Sequence, residues 1–114
     1  MRYSKSLIAG AAVLLAGIGS ANASGFATYF AVVVATGKVA ISSGVHSATK
    51  TAVGTYIVMF NRNINACAEV ASVRSAPGFA SVKPSGSESI VVSTFANNGV
   101  AVNRAFDVIV SCAP

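Results

Sequence analysis

Apolar residues recur at every second position through most of this chain, which is the period of a β-strand. The clearest run is Gly54–Phe60, where Tyr56, Val58 and Phe60 share one face and Asn61-Arg62-Asn63 ends the pattern. A second row closes the chain: Phe106, Val108, Val110 and Cys112 alternate with Asp107 and Ser111. Ile90, Val92 and Thr94 form a third row within Ser89–Ala96. Shorter runs at 39–42, 45–50 and 66–73 are separated by glycine turns and polar loops. Asn97-Asn98-Gly99 is a hairpin signal, because Asn-Gly accepts positive φ, and a further run follows at Val100–Arg104. Residues 74–86 carry Pro77-Gly78 and Lys83-Pro84-Ser85-Gly86 and read as a long loop with one short strand near Phe79–Val82. With no heptads and no 3.6-residue period after the first 23 residues, the pattern predicts an all-β fold: a small antiparallel β-sandwich or barrel of seven or eight short strands.

One segment departs from clean alternation. In 26–35, Phe26, Phe30, Val32 and Val34 line one face and Ala27, Tyr29, Ala31, Val33 and Ala35 the other, so both faces are apolar. A surface strand should alternate with polar residues. This one therefore lies in the middle of the domain or covers its second face with another subunit. Ile57 and Met59, on the outer side of the Tyr56 row, have the same need, and Tyr29, Val33, Ile57 and Met59 form the expected oligomer face.

Residues 1–23 change the picture of where the domain starts. Arg2 and Lys5 precede the apolar stretch Leu7–Ile18, and Ala21-Asn22-Ala23 supplies small residues for cleavage. This is the pattern of a secretory signal peptide, and its apolar core is shorter than the roughly 20 residues of a membrane span. The expected mature protein is a single β-domain, 24–114, secreted or periplasmic, with no membrane span after cleavage. The net charge of +5 falls when Arg2 and Lys5 leave. The remaining bases, Lys38, Lys50, Arg62, Arg74, Lys83 and Arg104, are dispersed, which argues against a nucleic-acid partner.

The chain has two cysteines, Cys67 and Cys112. In an exported domain they predict a structural disulfide, and the loop between them is long enough to give roughly 4 kcal/mol in the chain-entropy model. Candidate catalytic chemistry is thin. No Gly-x-Ser-x-Gly elbow frames a nucleophile for His46 and Asp107. One histidine and two bonded cysteines cannot complete a zinc site. Glu69 and Glu88 could serve a glycosidase as a carboxylate pair, but the chain has no tryptophan to stack on a sugar. No enzyme activity and no cofactor are expected.

Arg62 and Arg104 flank core strands. Either they tie loops to backbone carbonyls or to Asp107 or Glu69, or they join Asn61, Asn63 and Asn98 as surface contacts for an anion or glycan.

Three stretches carry a family resemblance. Val32-Val33 with Gly37 and Gly44-Val45 comes first. Gly54-x-Tyr56-x-Val58-x-Phe60-Asn61-Arg62 follows, with Cys67 beyond it. The third is Asn98-Gly99-x-x-Val102-x-Arg104-x-Phe106-x-Val108-x-Val110-x-Cys112. Across residues 31–112 the chain resembles a small, largely uncharacterised secreted β-module of bacterial exported proteins. In style it is similar to tip domains of phage tail fibres and other trimeric surface proteins. The resemblance implies a β-fold and no known reaction, and the tail-fibre likeness implies that a homo-oligomer is a trimer. The function expected is an exported, non-enzymatic binding or structural module that self-associates and meets an extracellular protein or glycan. The alternative is a secreted monomeric effector or inhibitor acting through the 74–86 loop.

Overall fold

The period-2 rows become the two inner walls of a sandwich. A computed structural model describes residues 27–113; the expected signal peptide and cleavage site at 1–23 lie outside the described residues. Eight strands follow in chain order: β1 (Ala27–Val33), β2 (Val39–Ser43), β3 (Val45–Ala52), β4 (Thr55–Phe60), β5 (Cys67–Val73), β6 (Phe79–Pro84), β7 (Ser89–Phe95) and β8 (Phe106–Cys112). They form two four-stranded antiparallel sheets, ordered β2-β1-β8-β5 and β3-β4-β7-β6. The fold is all-β, as the alternation predicts. Among the described residues no helix is long and apolar enough to cross a membrane.

The chain switches sheets at Gly44, at 61–66, at 74–78 and at 96–105. Gly44 has φ of 75°, and a side chain there would run into the Tyr29 ring, so the crossing from β2 to β3 needs glycine twice over. The last strand, β8, lies between β1 and β5, so the middle of the first sheet is completed by the end of the chain.

Between the sheets, Tyr56, Val58, Phe60, Ile90 and Val92 of the second sheet meet Ala31, Val33, Phe106, Val108, Val110 and Cys112 of the first. Tyr56 and Phe106 pack edge to face with ring centroids 5.0 Å apart. Each large apolar side chain buried here contributes about 1.5–3 kcal/mol relative to exposure.

The Cys67–Cys112 disulfide forms as expected. The two residues are direct cross-strand partners on β5 and β8, so the bond ties neighbouring strands of one sheet. It does not join the Tyr56 row to the Phe106 row, which face each other from different sheets.

Two segments between the rows take definite form. Within 74–86 the short strand expected near Phe79–Val82 forms as β6, two residues longer at Phe79–Pro84, and pairs with β7. Pro84 is the last residue of an edge strand, where a missing N–H breaks no ladder. Residues 100–104 do not form a strand. They make only a bridge between Ala101 and Phe95, and the Val102 N–H donates to the Thr94 carbonyl at 3.2 Å.

The expected oligomer face is also corrected. Val33 is fully buried and Tyr29 packs against the core, so this row of β1 closes the monomer and offers no surface to a partner. Ile57 and Met59 do point outward, but from the second sheet, among Thr49, Ser47, Ser89 and Val91. The four residues do not form a single face. The apolar surplus of β1 lies on its other side, at Phe30 and Val34.

Candidate functional site: the end of the sandwich at Asn98 and Arg104

Strand direction sorts the predicted polar residues into two groups. β4 and β8 both run toward the disulfide end, β4 finishing beside Gly44 and β8 at Cys112. Arg62 follows β4 and Arg104 precedes β8, so they stand at opposite ends of the sandwich. Asn61, Arg62 and Asn63 are therefore separated from Asn98 and Arg104, and the five do not make one binding surface.

At the disulfide end Arg62 is engaged. Its guanidinium carbon lies 5.8 Å from the centroid of the Tyr29 ring, and Nη1 donates to the Tyr29 hydroxyl at 3.4 Å. Nε donates to the Asn63 carbonyl at 2.8 Å. The Asn63 Oδ1 accepts from the Asn65 N–H at 2.8 Å, while the Asn61 N–H donates to the Gly44 carbonyl at 3.0 Å. This cluster folds the 61–66 crossing. Beside it, a cavity of about 120 Å³ opens between β5 and the β6–β7 hairpin, lined by residues including Cys67, Glu69, Pro84 and Ile90, with no cation.

The other end is built around Gly54, Thr94 and Asn103. Gly54 adopts φ of 67°, and a side chain there would press on the Thr94 carbonyl and the Val102 backbone. Its N–H donates to the Asn103 Oδ1 at 2.9 Å. Thr94 is the one fully buried polar residue described, and its hydroxyl donates to the Val102 carbonyl at 2.6 Å. The Tyr56 hydroxyl donates to the Ala35 carbonyl at 2.7 Å. Burial pushes the Tyr56 phenol above its ordinary range, against smaller opposing contributions from the Arg104 backbone and the Thr94 side chain.

The Gly54 and Thr94 bonds hold the 96–105 crossing as a wall, and an open cleft of about 320 Å³ lies against it. Pro77, Ala96, Asn97, Asn98 and Arg104 line the cleft. Arg104 is half-buried, its Nε is shut off from solvent, and that atom has no hydrogen-bond partner. Asp107 does not serve it: its Oδ1 lies 3.2 Å from Arg74 Nε, an exposed ion pair without hydrogen-bond geometry. Asn98 uses its Oδ1 to accept from the Val100 N–H at 3.1 Å, which leaves the amide NH₂ as a donor. The lining thus carries one guanidinium and two side-chain amides, with no carboxylate among them.

Sequence reasoning found Asn98 and Arg104 but missed Asn97, Asn103 and the buried Thr94. The signal for Thr94 lay in the inward row Ile90, Val92, Thr94, since a hydroxyl there must find a partner inside. His46 is exposed on the edge strand β3, and among the described residues no group of three or more His, Cys, Asp or Glu is placed to hold a metal. Comparison with protein-family models, curated proteins and solved structures finds no match, so the chemistry of the two ends and the two outer faces carries the functional reading.

Proposed function

We propose that this chain is an exported, non-enzymatic structural or binding module that works as an assembly of identical copies, joined through the outer face of the β2-β1-β8-β5 sheet. The observation that supports it is a cross-strand row on that face: Phe30 pairs with Ile109, and Ile109 pairs with Val70. Ile109 is 47% exposed and Val70 65%, and Ile41 adds another large apolar side chain beside Val32 at 61%. Isolated exposed apolar residues are ordinary, whereas a contiguous patch marks an interface.

A second copy is the occupant that suits this patch. Its centre is the antiparallel pair β1 and β8, so a copy turned about a two-fold axis presents the same row, as isologous interfaces require. At its margin stand Arg74 and Asp107, a balanced pair whose opposite charges can face each other across such an axis. An anionic membrane surface would instead call for a fringe of unpaired bases. Export rests on the 1–23 leader pattern and on the disulfide, which suits an oxidising compartment, extracellular or periplasmic.

Light scattering of the purified domain should give a multiple of the single-chain mass. Its value separates the trimer implied by the tail-fibre likeness from the dimer made by two-fold stacking. Val70→Lys with Ile109→Lys should give a folded monomer with an unchanged circular-dichroism spectrum. A single-chain mass for the unmutated protein at every concentration would sink the reading.

A further inference from the structure

We infer that the cleft lined by Asn97, Asn98 and Arg104 binds a carboxylate-bearing sugar, a hexuronic acid unit of an acidic polysaccharide. The inference starts from the unmatched guanidinium. Its Nε is closed off from solvent, so a ligand would meet the terminal N–H groups, and among the described residues no carboxylate pairs with Arg104. An arginine fork is shaped for a planar carboxylate, which it can grip with two parallel hydrogen bonds.

Three further features narrow the class. Only one cation lines the cleft, which matches the single charge of a carboxylate better than the two charges of a phosphate monoester. The side-chain amides of Asn97 and Asn98 supply the mixed donors and acceptors that sugar hydroxyls need. Pro77 and Ala96 give a short apolar surface for the C–H face of a ring. The cleft is open and about 320 Å³, so it suits one ring resting on the surface and not an extended chain.

The test is a titration of the ¹⁵N-labelled protein with sodium glucuronate, sodium acetate and glucose in parallel, followed by amide chemical shifts. Glucuronate should move the amides of Asn98, Gly99 and Arg104 with an affinity of about millimolar. Acetate should act at the same amides at least roughly fivefold more weakly, and glucose should have no measurable effect. Arg104→Gln should weaken glucuronate binding by roughly tenfold or more, while Arg62→Gln at the other end should leave it unchanged. Asn98→Asp gives a second variant that does not depend on replacing Arg104. It keeps the acceptor for the Val100 N–H but sets a negative charge where an amide donor stood, so binding should again fall. Any of three results overturns the proposal: no glucuronate response at these amides, equal binding of acetate and glucuronate, or unchanged affinity in both Arg104→Gln and Asn98→Asp. Equal binding would reassign the cleft to acidic side chains of a protein partner.

Discussion

The two ends of the sandwich use an arginine in opposite ways. At the disulfide end, Arg62 lies over Tyr29 and bonds the Asn63 carbonyl, and a covalent link closes the strands beside it. At the far end no covalent link exists among the described residues. Hydrogen bonds from Gly54 and Thr94 hold the wall, the Tyr56 hydroxyl ties in the turn after β1, and Arg104, which has no carboxylate partner among the described residues, lines an open cleft. An arginine engaged by its neighbours shapes a loop; one whose terminal N–H groups meet no carboxylate among the described residues keeps them for a ligand. The chain places its strongest constraint away from the cleft, so the wall behind Arg104 depends on polar bonds alone.

Removing the covalent constraint should produce the largest effect. Cys67→Ala with Cys112→Ala frees a 45-residue separation in the unfolded chain and should lower stability by about 4 kcal/mol. Urea unfolding followed by circular dichroism reads this directly. Because Cys67 and Cys112 are already cross-strand partners, the folded variant should keep its β5–β8 pairing and the amide shifts of residues 97–104. A loss below about 1 kcal/mol would show that the unfolded chain is not the state the disulfide acts on.

The polar bonds of the far end come next. Tyr56→Phe leaves the Ala35 carbonyl without this donor and should cost about 1–2 kcal/mol. It should also change the alkaline limb of the stability profile. The folded-state pKa of Tyr56 is raised above its ordinary 10.0, so the neutral phenol is favoured in the fold. Its contribution is therefore fully present below about pH 10 and is lost as the pH rises above that value toward the folded pKa. The difference between wild type and Tyr56→Phe, measured by urea midpoints from neutral to alkaline pH, should be constant at first and shrink above pH 10. A difference that grows with alkaline pH would contradict the sign of the shift.

What the sequence made legible follows the same division. The row Phe106-Val108-Val110-Cys112 could be read because Asp107 and Ser111 between its members give the alternation a direction. In β1 both rows are apolar, and period 2 then says nothing about which row faces inward; Tyr29 and Val33 went to the core, Phe30 and Val34 to the surface. Pro84 obscured only the end of β6, whose expected span near Phe79–Val82 runs on to Pro84, since a breaker inside a loop and a breaker at the tip of an edge strand look the same in one dimension. The separation of Arg62 from Arg104 was not legible either. One follows its strand and the other precedes it, and only the shared direction of β4 and β8 in space turns that difference into opposite ends.

The finest test of the contrast is the stability of the two arginine variants measured without ligand. Arg62→Gln loses the contact with the Tyr29 ring and the bond from Nε to the Asn63 carbonyl, and should cost about 0.5–1 kcal/mol, since the site is partly exposed. In a domain of this size that corresponds to a fall of roughly 2–8 °C in melting temperature. Arg104→Gln removes no hydrogen bond made by the Arg104 side chain among the described residues and relieves a buried donor that has no acceptor. Its melting temperature should be unchanged or slightly raised. If Arg104→Gln destabilises the protein as much as Arg62→Gln, then Arg104 is a structural tie like its counterpart, and the asymmetry between the two ends no longer points to the cleft.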